Sequence, residues 1–220
     1  MGDAIQLPPQ PDAKPGRKIT ILGMGPTANE RRIDILKYCA GTEIWGLNNG
    51  YLTYPHLRGH WARFFELHAW NYLDKVWKDK PATYFHDLDA LDCPVYVGQP
   101  IPVVRKQVTY DFVKVFRHFG CNYFLGSPSL MLALAIYEHD HGQPVSEIRS
   151  WGIDTSDPQH GQQRASWSWW VSKADERGID FTGTALAFMA EYEKDDGLRG
   201  LREKIGDAIQ KENEKKENTK

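Results

Sequence analysis

The chain has few cysteines, and their spacing provides no framework for a metal site or for disulfides. There are three in 220 residues, Cys39, Cys93 and Cys121, so their number is odd and the gaps between them are wide. Structural zinc sites and disulfide-rich folds need closely spaced or paired cysteines. The pattern favours a reducing cytoplasm as the compartment of this protein.

Long apolar runs and a strong net charge are also missing. No stretch approaches the roughly 20 apolar residues that span a bilayer, and the proline-rich start lacks the apolar core of a secretory signal. The formal net charge is −2, which gives no general attraction to nucleic acid or to an anionic membrane. We therefore expect a cytoplasmic protein without membrane association, and we do not expect a nucleic-acid partner.

A glycine pair after an apolar run is the first functional signal. Residues Lys18 to Leu22 have the β-branched, apolar character of a strand, and Gly23-Met24-Gly25-Pro26-Thr27 follows directly. Glycine lets a ligand approach the backbone closely, and a helix predicted over Thr27 to Tyr38 offers N–H groups that attract an anion. A third glycine is missing, so the dinucleotide fingerprint is incomplete. An ordinary turn and an anion-binding loop are about equally supported by this stretch.

Strand and helix patterns alternate along most of the chain. Strands are expected near residues 18–22, 43–47, 61–67, 95–97, 148–153 and 179–181, and helices near 27–38, 108–119, 127–137 and 164–177. This alternation is typical of a three-layer, Rossmann-like α/β fold with a mostly parallel sheet. We predict a single domain over 18–194, a flexible arm over 1–17 and a charged tail, helical or disordered, over 195–220.

Polar residues follow the predicted strands, and their position gives the main functional prediction. Ligands of parallel sheets bind beyond the carboxyl ends of the strands, where the strand order reverses. The residues expected to converge there are Gly23, Met24, Gly25, Pro26, Thr27, Asn48, Asn49, Glu66, His68, Ser127, Ser129, Gly152 and Asp154. Their convergence predicts a shared ligand pocket more strongly than any single motif does.

Two pairs among these residues have a structural interpretation as well as a functional one. Asn48 and Asn49 can bind a ribose or a base edge through their amides, but Asn49 before Gly50 also suits a tight turn. Glu66 and His68 share one face of a strand, where they can transfer a proton, contribute to a metal site or form a structural hydrogen-bonded pair. Two ligands do not make a metal site, so no metal ligand is assigned.

A helix start and a loop provide the remaining candidates. Ser127 and Ser129 begin a predicted helix whose N–H groups suit a phosphate, although capping alone explains one of them. His160 lies in a glycine- and glutamine-rich loop and is the best-placed candidate for a general base, although exposed loop histidines are the commoner case. Gln163 and Arg164 are candidate substrate contacts.

Several of these motifs carry a family resemblance. The first two motifs are the Gly23–Thr27 loop and Gly46-Leu47-Asn48-Asn49, in which Asn48 matches an asparagine of the family. The Gly126–Ser129 helix start, the Gly152–Asp154 strand end and the Arg63–His68 segment follow in order. Together they resemble the sialyltransferase-like and DUF115 proteins, including bacteriophage members of unassigned function, over roughly residues 19–181.

The resemblance implies a Rossmann-like fold that holds a cytidine nucleotide. It assigns the nucleotide to Gly23, Gly25, Pro26, Thr27 and Asn48 and the role of base to His160. If the chain is phage-encoded, its location is the cytoplasm of a bacterial host.

These observations lead to one main functional hypothesis and two alternatives. We expect a nucleotide- or nucleotide-sugar-binding protein, a glycosyl or related group transferase in which His160 or His68 accepts a proton from the acceptor. One alternative is a non-catalytic phage module that binds a nucleotide. The other is a pyrophosphokinase, which would need magnesium held by Glu66 and by Asp154 or Asp157. The sequence leaves open whether the protein forms a homo-oligomer.

Overall fold

Seven parallel strands form one sheet in the computed structural model, which describes residues 16–29, 34–69, 83–154 and 161–183. The strands are β1 (Arg17–Leu22), β2 (Glu43–Leu47), β3 (Trp61–Glu66), β4 (Val95–Val97), β5 (Gln107–Thr109), β6 (Val145–Trp151) and β7 (Asp180–Gly183). The α-helices are α1 (Ile35–Tyr38), α2 (Gly50–Thr53), α3 (Tyr84–Asp89), α4 (Phe112–Phe119), α5 (Ser127–Asp140) and α6 (Gln163–Asp175). Short 3-10 helices span Pro26–Asn29 and Pro55–Leu57.

The order of the strands is β5-β4-β3-β2-β1-β6-β7. The chain moves outward from β1 through β5 and then returns to the other side of β1 with β6. Every neighbouring pair is parallel. The predicted Rossmann-like α/β fold is confirmed, and the reversal between β1 and β6 creates a crevice at their carboxyl ends.

Side-chain alternation along the strands divides the hydrophobic core into two clusters. On β1, Ile19 and Ile21 belong to the cluster that contains α5 and α6, whereas Leu22 belongs to the cluster that contains α3. All three side chains are fully buried. Because successive residues of a strand face opposite sides, helices cover both faces of the sheet and complete three layers.

The edge strand β5 replaces the first turn of a predicted helix. Val108 matches the helical spacing of later apolar residues, but Gln107–Thr109 pairs in parallel with β4. The helix α4 starts after Asp111, whose carboxylate accepts a hydrogen bond from the Lys114 N–H at 2.9 Å. This side-chain cap fixes the start of α4 at Phe112. The prediction from apolar spacing, which began the helix at Val108, was therefore four residues too early.

The structure also differs from the prediction of one helix over Thr27 to Tyr38. Its first residues form the 3-10 helix Pro26–Asn29, and its last residues form the four-residue helix α1. Thr27 and Glu30 match the capping-box pattern of a helix start, but residues 30–33 lie outside the described residues. The Thr27 hydroxyl instead binds a carboxylate from another part of the chain.

Charged side chains connect the amino-terminal ends of β1 and β2 with the end of α5. The Arg17 guanidinium donates to both carboxylate oxygens of Glu43, at 2.6 and 2.8 Å, and to Glu138 at 2.8 Å. Arg63 donates to the other Glu138 oxygen at 2.6 Å. The hydrogen bonds from Arg17 hold the pKa of Glu43 below its usual value. This network lies at the opposite end of β1 from the crevice.

Among the described residues, no helix has the length and apolar character needed to cross a membrane. Most of the predicted arm, residues 1–15, and the whole predicted tail lie outside the described part of the chain.

Candidate functional site

A cavity of about 340 Å³ opens where the carboxyl ends of β1, β2 and β6 meet. Its lining residues are Gly23, Met24, Gly25, Leu47, Asn48, His68, Gly126, Ser127, Pro128, Gly152, Ile153, Asp154 and Gln163. The volume falls at the lower end of the range usual for small-molecule sites. The cavity occupies the crevice that the strand order creates.

Most of the residues expected to converge at the strand ends do line this cavity. The candidates in its lining are Gly23, Met24, Gly25, Asn48, His68, Ser127, Gly152, Asp154 and Gln163. The candidates outside its lining are Pro26, Thr27, Asn49, Glu66, Ser129 and Arg164. His160 lies outside the described residues.

The glycines after β1 and β6 allow two loops of the protein to touch. The Gly23 N–H donates to the Trp151 carbonyl at 2.7 Å, and the Gly25 N–H donates to the Gly152 carbonyl at 2.8 Å. A Cβ on Gly23 would lie 2.8 Å from the Gly152 carbonyl carbon, and one on Gly25 would lie 2.7 Å from the Asp154 Cβ. Internal packing therefore already requires the glycine pair, without a ligand.

Asp154 occupies the helix start where an anion was expected. Its carboxylate accepts hydrogen bonds from the Thr27 N–H at 2.7 Å and from the Thr27 hydroxyl at 2.8 Å. The residue is 6% exposed. A phosphate at this end of the 3-10 helix would meet a like charge and would find the Thr27 N–H already occupied. The loop after β1 is therefore a poor place for the anionic part of a ligand.

Asn48 lines the cavity and carries a buried side-chain acceptor. Its φ is 54°, and it is the one non-glycine residue with a positive φ in the described ranges. Asparagine is enriched in this left-handed region, and the Asn48 N–H is fixed by a 2.8 Å bond to the Phe65 carbonyl. Its Oδ1 is buried and has no hydrogen-bond partner in the described part of the chain. A buried unsatisfied acceptor is costly, so a ligand that donates a hydrogen bond here would gain affinity.

The neighbouring Asn49 lies in the turn after β2, but not in the left-handed conformation that an Asn-Gly turn tolerates. Its φ is −98°, and it precedes the first residue of α2 without a capping bond from its side chain. The left-handed conformation belongs to Asn48 instead, one residue earlier.

Glu66 lies beneath His68 and holds its imidazole. Oε1 of Glu66 accepts hydrogen bonds from the His68 Nδ1 at 2.6 Å and from the His68 backbone N–H at 3.1 Å. Oε2 accepts a hydrogen bond from the Tyr84 hydroxyl. The Glu66 side chain is fully buried, whereas the His68 side chain is 27% exposed. Because a carboxylate only accepts, we assign a proton to Nδ1, and in the neutral imidazole Nε2 then carries the lone pair.

The amino terminus of α5 forms another wall of the cavity. Gly126 precedes this 14-residue helix and provides no side-chain cap, and Ser127 and Pro128 form its first turn. The positive end of the helix dipole favours an anion at this position. Ser129 is 2% exposed and shares a 3.0 Å hydrogen bond with the Ser166 hydroxyl. It belongs to the packing between α5 and α6.

The first turn of α6 packs against this wall. A Cβ on Gly126 would lie 2.8 Å from the Gln163 Cδ, so the glycine allows the Gln163 side chain to reach the cavity. Arg164 is half-buried outside the lining, and its N–H donates to the Gly161 carbonyl at 3.2 Å.

The charge of the cavity is small. Among the described residues of the lining, Asp154 is the one acidic side chain, and none is a lysine or arginine. In the described ranges, no group of three or more His, Cys, Asp or Glu side chains is arranged to hold a metal ion. Of the predicted magnesium ligands, Glu66 accepts hydrogen bonds from Tyr84 and His68, and Asp154 accepts them from Thr27. The alternative ligand Asp157 lies outside the described residues.

Two tyrosines that support the site were not predicted. Tyr54 is 3% exposed and donates to the Gly23 carbonyl at 2.9 Å, and burial raises its pKa. Tyr84 donates to Glu66. Neither has a local sequence signal, because each acts through a contact with a distant strand end. Gly126 had a usable signal, since it directly precedes the serine and proline that start α5.

The chain matches no protein-family model, no curated protein and no solved structure. The resemblance to sialyltransferase-like and DUF115 proteins therefore stays a prediction, and the case for a function depends on the geometry of the cavity.

Proposed function

We propose that the cavity binds a nucleotide or nucleotide-sugar that carries one phosphate, and that the protein transfers the sugar or a related group. The observation that carries the proposal is the presence of three complementary features in one cavity at the strand reversal. They are the buried Oδ1 of Asn48, the amino terminus of α5 and the His68 imidazole held by Glu66.

The charge distribution limits the number of phosphates. Diphosphates and triphosphates are usually bound through lysine, arginine or a metal ion, and none of the described lining residues is a lysine or arginine. The start of α5 suits a single anionic group, while Asp154 disfavours another at the opposite loop. A nucleoside monophosphate, free or linked to a sugar, fits this balance.

The nucleoside would lie against Asn48. The side-chain oxygen of Asn48 needs a hydrogen-bond donor, which a ribose hydroxyl or an exocyclic amino group of the nucleoside supplies. Met24 and Leu47 provide apolar surface beside it. Amide and apolar surface together are usual features of small-molecule sites.

His68 would act as general base in the transfer. The acceptor hydroxyl gives its proton to Nε2 of His68 while its oxygen bonds to the transferred carbon. The bond from that carbon to the phosphate oxygen breaks, and the released nucleotide keeps the electron pair. The amino terminus of α5 stabilises the charge that develops on the phosphate. Glu66 stabilises the imidazolium, as a carboxylate does beside a catalytic histidine.

A thermal-shift experiment tests the binding step. Cytidine, the four ribonucleoside monophosphates, CDP, CTP, UDP-sugars and a CMP-sugar would be compared, with and without magnesium. At least one monophosphate or its sugar is expected to raise Tm more than the corresponding diphosphate and triphosphate, without magnesium. No stabilisation by any of them would overturn the proposal, and strict magnesium dependence would favour the pyrophosphokinase.

Asn48→Asp tests the location of the ligand, because aspartate also tolerates a positive φ but adds a negative charge. We expect weaker nucleotide binding by calorimetry, and equal affinity would place the ligand elsewhere. Asn122→Asp is the matched control, since Asn122 is exposed and outside the cavity.

His68→Gln then separates transfer from binding. Release of free nucleotide from the sugar, followed by chromatography, should fall at least about 100-fold, the range of general-base contributions. Binding without any release in the wild type would identify a non-catalytic nucleotide-binding module.

A further inference from the structure

We infer that Tyr84, which does not line the cavity, is a positioning residue for His68 and acts through Glu66. The inference rests on the proposed role of His68 as general base. It concerns a residue on α3, a helix that packs on the opposite side of the sheet from α5 and α6.

The three side chains form one continuous hydrogen-bonded line from the core to the cavity. Tyr84 is 1% exposed and donates to Oε2 of Glu66. Oε1 of the same carboxylate holds the His68 Nδ1 at 2.6 Å. Tyr84 and His68 each donate to this carboxylate, so each favours its ionised form over its protonated form.

Tyr84 also keeps its own proton. Burial and the adjacent Glu66 charge raise the pKa of the Tyr84 phenol. The hydroxyl therefore remains a donor at neutral pH and fixes one oxygen of the carboxylate. The other oxygen then faces His68 in a constant orientation, which keeps the proton on Nδ1 and the lone pair on Nε2.

A nearby tyrosine provides a matched control. Tyr51 packs against Tyr84 with ring centroids 6.3 Å apart, but its hydroxyl donates to Asp87 at 3.1 Å. It does not line the cavity that contains His68. Tyr51→Phe therefore removes a hydroxyl from the same aromatic cluster and leaves the line to His68 intact.

The tautomer of His68 gives a readout that packing alone would not change. Long-range proton–nitrogen NMR spectra of histidine-labelled protein distinguish the two tautomers, and His68→Gln identifies the signal among the eight histidines. We expect the Nδ1–H tautomer in the wild type and in Tyr51→Phe. We expect its loss or mixing in Glu66→Gln and in Tyr84→Phe.

Two results would overturn the inference. An Nε2–H tautomer in the wild type would contradict the hydrogen bond from His68 Nδ1 to Glu66. An unchanged Nδ1–H tautomer in Tyr84→Phe would show that Tyr84 only packs in the core and does not position His68. If Tyr84→Phe does not fold, 3-fluorotyrosine at this position makes the hydroxyl a stronger donor. It should shift the His68 nitrogen resonances, and unshifted resonances would count against the inference. No nucleotide is present in these spectra, so the tautomer test and the nucleotide-binding test are independent. Either one can fail while the other succeeds.

Discussion

Replacing Gly152 by alanine tests the contact between the two loops that border the cavity. Gly152 has a φ of +68°, and an added Cβ would lie 2.5 Å from the Gly23 carbonyl oxygen and 2.8 Å from the Tyr54 hydroxyl oxygen. Neither neighbour can move freely. The Gly23 N–H is bonded to the Trp151 carbonyl at 2.7 Å, and Tyr54 is buried and bonded to Gly23.

Two costs contribute to the expected loss of stability. A left-handed conformation costs an alanine about 1–2 kcal/mol. Separating the loops breaks the bond from Gly25 to Gly152 and the bond from Tyr54 to Gly23, each contributing about 1 kcal/mol. The total is about 3–4 kcal/mol, which lowers Tm by roughly 10 °C at about 2–4 °C per kcal/mol in a protein of this size.

Gly178→Ala is the control for this measurement. Gly178 has a φ of +69°, but an added Cβ would have no neighbour within 4 Å. Only the conformational cost applies, so its Tm should fall by roughly 2–8 °C. Scanning calorimetry and urea unfolding of both variants measure the difference. Equal destabilisation would refute the close contact between the loops after β1 and β6.

Three further predictions concern other parts of the molecule. Because the folded pKa of Glu43 is lowered by Arg17, its contribution to stability is present above its ordinary pKa of about 4.5 and is lost as pH falls through the folded pKa. Urea midpoints measured from pH 6 to pH 3 should therefore fall less steeply for Glu43→Gln, and parallel curves would contradict this. Thr27→Val should lose about 1–2 kcal/mol by urea unfolding, because the hydroxyl bond to Asp154 is broken, whereas Thr27→Ser should lose much less. Cys121 is half-buried, while burial raises the pKa of the other two thiols to about 11. A disulfide reagent at pH 8 should thus modify one thiol quickly and the others only after denaturation, and three fast reactions would contradict the burial.

The architecture could be predicted because it depends on local patterns. The apolar run that predicts the first strand does form β1, and its Ile19 and Ile21 are fully buried. Strand and helix signals in alternation are enough to predict a parallel sheet covered on both faces. Errors occurred where a single contact overrides the pattern, as at Asp111, which starts α4 after the strand containing Val108.

The candidate site could be predicted as a set but not in its details. Residues that directly follow strands meet at one edge of a parallel sheet, so Gly23, Asn48 and Asp154 share a cavity. The partner of each residue was beyond prediction. Thr27 and Asp154 are 127 positions apart, and no local pattern shows that their hydrogen bond replaces a capping box.

Local sequence patterns were enough to predict the fold class and the edge of the sheet where the cavity lies, because periodicity and strand ends are local properties. What each polar group faces depends on how distant parts of the chain pack together. The tertiary structure paired the Gly23 and Gly25 loop with Gly152 and Asp154, left the Asn48 acceptor without a partner in the described chain, and placed Tyr84 behind Glu66. Such pairings depend on the register and order of distant strands, and those are fixed only when the whole sheet packs against its helices.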